Sequence, residues 1–143
     1  MPGEIKYVLL YYHISPSGDE INSIEIYDNF DDAINKFYEE VKDMLKENLM
    51  EETIENLEER GYTPYEIIEK LSSGETIDKV GFYDIGFSSI DFIEIIKDDI
   101  EEEIGKPIKS LVLEYVFSNI EYEYINGKRE PYGYASILYR VEI

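Results

Sequence analysis

Cysteine and tryptophan are absent from this 143-residue chain, and histidine occurs once, at His13. The missing cysteines exclude a disulfide framework, a thiolate zinc site, a thiol nucleophile and Fe–S ligation. A lone imidazole cannot build a His-based metal site. Ser15 and Ser17 lie near it in sequence, but nearness in sequence is no base-to-nucleophile geometry, so His13 reads as structural. Basic residues are scarce too: 13 Lys plus Arg stand against 33 Asp plus Glu, a net charge of −20. Neutralising phosphates needs the opposite excess, so direct nucleic-acid binding is excluded as a charge-driven function. Gly81 and Gly86 sit in neither a G-x-G-x-x-G unit nor a Gly-Lys-Ser/Thr loop, which disfavours both standard kinds of nucleotide-binding enzyme. No cofactor is expected. No run approaches 18 apolar residues, and residues 1–6 carry no basic stretch ahead of an apolar one. The expected location is therefore the cytoplasm, with no membrane partner.

What is present makes a core. Hydrophobic types form 43% of the chain, with 14 Tyr, 6 Phe and 22 Ile, so the large net charge does not imply disorder. At this length one domain, 1–143, is expected, burying roughly 68–70% of the surface of the unfolded chain. Twenty-two Ile against nine Leu is a thermophile-like bias.

Residues 4–14 and 21–27 are rich in β-branched and aromatic types and flank the turn cluster Ser15-Pro16-Ser17-Gly18-Asp19, which predicts an opening β-hairpin. Asn29 is placed to cap a helix with Asp31 and Asp32 in its first turn and apolar residues Phe30, Ala33, Ile34, Phe37, Val41, Met44, Leu45 and Leu49 on one face. The phase slips near Met50, so a kink or a separate helix carrying Ile54 and Leu57 follows, up to Gly61. Thr63-Pro64-Tyr65-Glu66 has capping-box spacing with proline at the first helical position, opening a helix through Leu71. Residues 76–87 read as a short edge strand or a loop. Ser88 or Ser89 then caps a helix bearing Ile93, Ile96, Ile100 and Ile104, which Gly105 ends. A β-type run over 108–125, the hairpin dipeptide Asn126-Gly127 and a strand over 132–143 close the chain. The predicted class is α+β: an antiparallel sheet formed by N- and C-terminal hairpins, with about four helices packed mainly on one face.

Charge is distributed unevenly over these helices. The first interleaves its acids with Lys36, Lys42 and Lys46, an ordinary solvated face. Residues 91–103 are different: Asp91, Glu94, Asp98, Asp99, Glu101, Glu102 and Glu103 face only Lys97. At 100° per residue Asp91, Asp98 and Glu102 share a sector opposite the isoleucines, with Glu94 and Glu101 beside it. Residues 51–60 add a second patch, of which Glu52, Glu55 and Glu59 are the candidates. Like charges at helical spacing cost a few tenths of a kcal/mol per pair, a cost that a basic partner relieves. The expected function is therefore a non-catalytic acidic binding protein, an inhibitor or decoy docking on a basic, nucleic-acid-handling surface of a partner protein. Small anti-defence or host-takeover proteins of viruses have this character, so a viral source, acting in the host cytoplasm, is part of the expectation.

The alternative is a structural or small-ligand-binding homo-oligomer working through a tyrosine-rich sheet face. Its candidates are Tyr122, Tyr124, Tyr134 and Tyr139, with Lys128 and Arg129 beside the Asn126-Gly127 turn. The first strand alternates with apolar residues on both sides, and a face left open by the helices would be covered by a second copy, a homodimer. A third reading, a metal-dependent nuclease built on spacings such as Asp91-x-x-Glu94-x-x-Lys97, is disfavoured because an anionic substrate would meet a strongly anionic protein.

Overall fold

The computed structural model describes residues 3–46, 48, 50–75 and 80–143. Strands β1 (Ile5–Ile14) and β2 (Glu20–Tyr27) form the first hairpin, and β3 (Ser110–Ile125) and β4 (Lys128–Glu142) the last. Helices α1 (Phe30–Met44), α2 (Met50–Glu59), α3 (Pro64–Ser73) and α4 (Ile90–Ile104) lie between them in sequence. The four strands make one antiparallel sheet in the order β2-β1-β4-β3, the two hairpins joined edge to edge through β1 and β4. This is the predicted α+β architecture.

The local signals act where the sequence puts them. The Asn29 side chain accepts the Asp32 N–H at 2.9 Å, and Thr63 and Glu66 complete a reciprocal capping box ahead of α3. Asn126 and Gly127 both take positive φ, 52° and 79°, the left-handed pair that matches the twist of the flanking strands. Two boundaries differ from expectation, the end of α1 and the start of β4. Helix α1 ends at Met44 and a separate α2 begins at Met50; Leu49, expected on the α1 face, lies outside the described residues. The strand or loop expected over 76–87 falls partly on residues 76–79, which are also outside them, while residues 80–87 are turn and loop. Strand β4 starts at Lys128 rather than near Tyr132, because the tight turn lets pairing with β3 resume at once.

Both sheet faces are buried, each by its own set of helices. On one face Leu9 and Leu138 pack beneath α1, α2 and α3, with Ile34, Phe37, Val41, Ile54, Leu57, Ile67, Ile68 and Leu71 filling the layer. On the other, Val8, Leu10, Ile137, Tyr139 and Val141 meet Ile96 and Ile100 of α4 and Phe87 of the loop before it. So three helices share one face and the fourth covers its reverse. The expectation of a homodimer starts from an open apolar face over β1 and β4; α4 of the same chain covers that stretch. A bulge between Leu113 and Tyr115 shifts the β3 register, which turns Tyr115 and Phe117 toward the α1–α3 layer.

The sheet does not end where β1 ends. Ile14 pairs with Gly133, and beyond that point β3 and β4 continue alone as a two-stranded arm, with Glu121–Ile125 pairing with Lys128–Tyr132. Gly133 at its root has φ 150°, and a Cβ there would lie 2.1 Å from the Asn119 carbonyl oxygen. Only glycine lets the two strands approach so closely at that point.

Candidate functional site

Helix α4 positions the acidic candidates. The Ser89 hydroxyl accepts the Phe92 N–H at 3.2 Å, and Gly105 closes the helix in the left-handed conformation at φ 80°. Ile96 and Ile100 anchor the inner side in the core. That fixes the helix rotation, so Asp91, Glu94, Asp98 and Glu102 are exposed on the outside. Among the described residues none of these four forms an ion pair, whereas Asp43, Glu58 and Glu75 elsewhere pair with Lys46, Lys42 and Lys70. Two large apolar side chains stand in solvent on the same helix, Ile90 at 76% and Ile95 at 65% exposure. Glu101 is turned to another use: its Oε2 accepts the Ile108 N–H at 2.9 Å and pins the loop after α4.

The second acidic patch is not adjacent. Glu52, Glu55 and Glu59 are exposed on α2, but α2 buries Met50, Ile54 and Leu57 in the layer on the opposite side of the sheet from α4. The eight carboxylates expected to act together are therefore split between two faces of the molecule, since helical spacing orders charges within one helix and says nothing about which side of a sheet the helix joins.

The tyrosine group is split as well. Tyr139 is a core residue with no exposure, its hydroxyl donating to the Phe87 carbonyl oxygen at 2.7 Å; burial pushes its ionisation well above the usual tyrosine range, with Asp84 and Tyr12 adding to the shift. It is unavailable to any ligand. Tyr134 lies on the reverse face, stacked with Tyr11 at 5.2 Å and His13 at 4.7 Å between ring centroids. Tyr122 and Tyr124 are on the arm at 51% and 79% exposure, and Arg129 lies over the Tyr122 ring at 4.0 Å. Lys128 is exposed at the same tip. His13 thus has a stacking partner, and its Nδ1 is 3.8 Å from Glu20.

A cleft of about 460 Å³ between α1 and the sheet brings together residues that the sequence pattern leaves unconnected: Tyr11, Lys36, Glu40, Asp43, Asn119 and Tyr134. Its floor carries a half-buried carboxylate, Glu40, accepting a hydrogen bond from the fully buried Ser136 hydroxyl of β4. Burial raises the Glu40 pKa above 4.5, Glu25 and Asp43 push it the same way, and Ser136 and Lys36 oppose the rise. Burial first, and then the Glu40 charge, raises the pKa of the Tyr11 hydroxyl. This arrangement offers hydrogen-bond acceptors, one amide and flat ring surfaces. Its hydroxyl held on a carboxylate, Ser136 on Glu40, is fully buried and out of a ligand's reach, and among the described residues no three acidic or imidazole groups cluster as a metal site. Nor, among those residues, is any helix long and apolar enough to cross a membrane. Sequence reasoning places Glu40 on a solvated face because its buried partner, Ser136, is 96 positions away.

A carboxylate whose folded pKa is raised binds its proton more tightly in the folded state. It therefore favours folding fully below pH 4.5, and that contribution is lost as pH rises through the folded value. Glu40→Gln keeps an acceptor for Ser136 and removes the buried charge. The variant is expected to be more stable than the parent at pH 7 and equal to it below pH 4; a parent that is already the more stable at pH 7 in urea titrations overturns this account.

No family model, curated protein or solved structure matches this chain.

Proposed function

We propose that the protein is a non-catalytic binding protein that docks the outer face of α4 on a basic, nucleic-acid-handling surface of a partner protein, as an inhibitor or decoy. The observation that carries this reading is the uncompensated charge of one well-anchored helix. Asp91, Glu94, Asp98 and Glu102 are exposed and, among the described residues, without ion pairs, on a helix whose capping and buried isoleucines hold it rigidly. Duplex DNA presents one charge per roughly 1.7 Å of axis. At about 1.5 Å rise per residue, Asp91, Glu94, Asp98 and Glu102 place one carboxylate per about 5.5 Å along the helix, a line of like charge roughly a third as dense as the duplex and nearer to the spacing of about 3.4 Å in a single strand. The split of the acidic residues narrows the reading to α4 alone: Glu52, Glu55 and Glu59 face the other way, and Glu101 holds its own loop.

Two consequences are testable together. A protein captured by this chain at low salt should be released as ionic strength rises, since exposed carboxylates are screened within a Debye length of about 8–10 Å. The captured protein should also be displaced by duplex DNA, and the Asp98→Lys/Glu102→Lys variant, with unchanged melting, should lose at least tenfold in affinity for it. Retention of full affinity by that variant, or capture indifferent to DNA, sinks the decoy reading.

A further inference from the structure

The arm and the groove beside α4 are complementary, and apart from Glu102 neither is used by the outer α4 face. An isolated two-stranded ribbon is marginal in water, yet this one carries Tyr124 at 79% and Tyr122 at 51% exposure. Strand alternation makes the arm two-sided. Glu121, Glu123 and Glu130 share one side with Tyr132, whose hydroxyl donates to Glu121 at 2.5 Å. Tyr122, Tyr124, Arg129 and Pro131 share the other, the side of the sheet on which α4 lies. That second side has rings, a proline and a guanidinium, and no carboxylate.

A groove of about 470 Å³ runs between α4 and β2 at the far lateral edge of the sheet. Its apolar surface comes from Tyr12, Ile21, Ile24, Ile95 and Ile96, and its rim from Asp19, Glu20, Asp99, Glu102 and Glu103, with no basic side chain among the lining residues. Asp19 already accepts the Ser15 N–H and Glu20 lies near His13, but Asp99, Glu102 and Glu103 line the α4 side of the rim without an ion pair among the described residues. Ile95, 65% exposed, stands at its edge.

We propose that the Tyr122–Tyr124–Arg129 side of the arm docks in the α4–β2 groove of a second copy of this chain, so that two molecules exchange arms about a two-fold axis. Within one molecule β1 lies between β2 and β4, the nearer strand of the arm, and the arm runs on past the last β1 pair, Ile14 with Gly133. The occupant is argued from complementarity: an aromatic face bearing one cation and no carboxylate meets an apolar floor ringed by carboxylates and no cation. Arg129 provides the charge match and Tyr124 the most exposed ring. Each copy has one arm and one groove on the same side of its sheet, so exchange buries both reciprocally and closes the assembly.

Complementation between variants tests this geometry. By sedimentation equilibrium the parent chain is expected to be dimeric, and Tyr124→Ala/Arg129→Glu (arm altered) and Asp99→Lys/Glu103→Lys (groove altered) each monomeric, with melting curves showing all three folded. An equimolar mixture of the two variants should recover a heterodimer, because one intact arm still meets one intact groove. A parent chain that is monomeric throughout overturns the proposal. So does a dimer that survives the arm variant, or a mixture in which no heterodimer forms. Glu102 belongs to both surfaces, so the outer face is scored separately with Asp91→Lys/Asp98→Lys, which spares the groove rim, by loss of the basic partner, and the two readings can fail independently.

Discussion

Tyr139→Ala is expected to lower the free energy of unfolding by about 3–5 kcal/mol, as deletion of a large buried aromatic does, and Tyr139→Phe by about 1–3 kcal/mol. The alanine value reflects a ring with no exposed surface at the centre of the α4-side core, among Val8, Ile137 and Phe87. The phenylalanine value isolates the hydroxyl. Its loss strands the Phe87 carbonyl oxygen, which accepts from Tyr139 across 2.7 Å, and a buried acceptor without a partner costs more than the net worth of the bond. Because that contact ties the 80–89 loop to the sheet ahead of α4, Tyr139→Phe should also speed limited proteolysis in that loop. Urea unfolding and digestion time courses measure both effects; a phenylalanine variant as stable as the parent would remove the hydroxyl from the account. A folding free energy of about 5–15 kcal/mol is usual for a domain, so the alanine variant is expected to be substantially unfolded at elevated temperature.

Phe37→Ala is expected to cost about 3–5 kcal/mol from the opposite side of the sheet. Phe37 has no exposure and lies 6.0 Å, ring to ring, from Tyr115, with Ile34, Val41 and Leu138 in the same layer. Although the two cores share no residue, they share β1 and β4, whose successive side chains enter them in turn: Leu9 one and Val8 and Leu10 the other. Loss of either layer should therefore unfold both in one transition, with an unchanged dependence on denaturant. A Phe37→Ala protein that unfolds in two steps, with the α4 side persisting, would show that the faces are energetically independent.

Local order is legible in the residues and global placement is not. Asn29, the Thr63–Glu66 box, Ser89, Gly105 and Asn126-Gly127 announce their roles because each works through neighbours within a few positions. Alternation also puts Ala135, Ile137, Tyr139 and Val141 on one side of β4, as observed. What the pattern lacks is any sign of which surface an outward-pointing side chain joins. Tyr139 groups with Tyr122 and Tyr124 because all three share a sheet face; nothing in that alternation says that α4 covers one end of the face and leaves the arm bare. The α2 and α4 carboxylates look equivalent on helical wheels, yet the sheet divides them. Glu40 looks like its solvated neighbours because the Ser136 hydroxyl that meets it arrives from the last strand.

Strand order has a consequence in time. The two central strands of the sheet are β1 and β4, and Ile5 pairs with Glu142, 137 positions later. At a synthesis rate of about 5–20 residues per second, the start of β1 is made about 7–27 s before the end of the strand that completes it. During that interval the backbone edge of β1, which β4 later occupies, has no partner, and the helices emerging behind it have no finished sheet to settle on. Pairings this distant make folding slow for a chain of this size. The dense negative charge then has a use that involves no partner: nascent copies that repel one another have less opportunity to pair their waiting edges before β4 arrives.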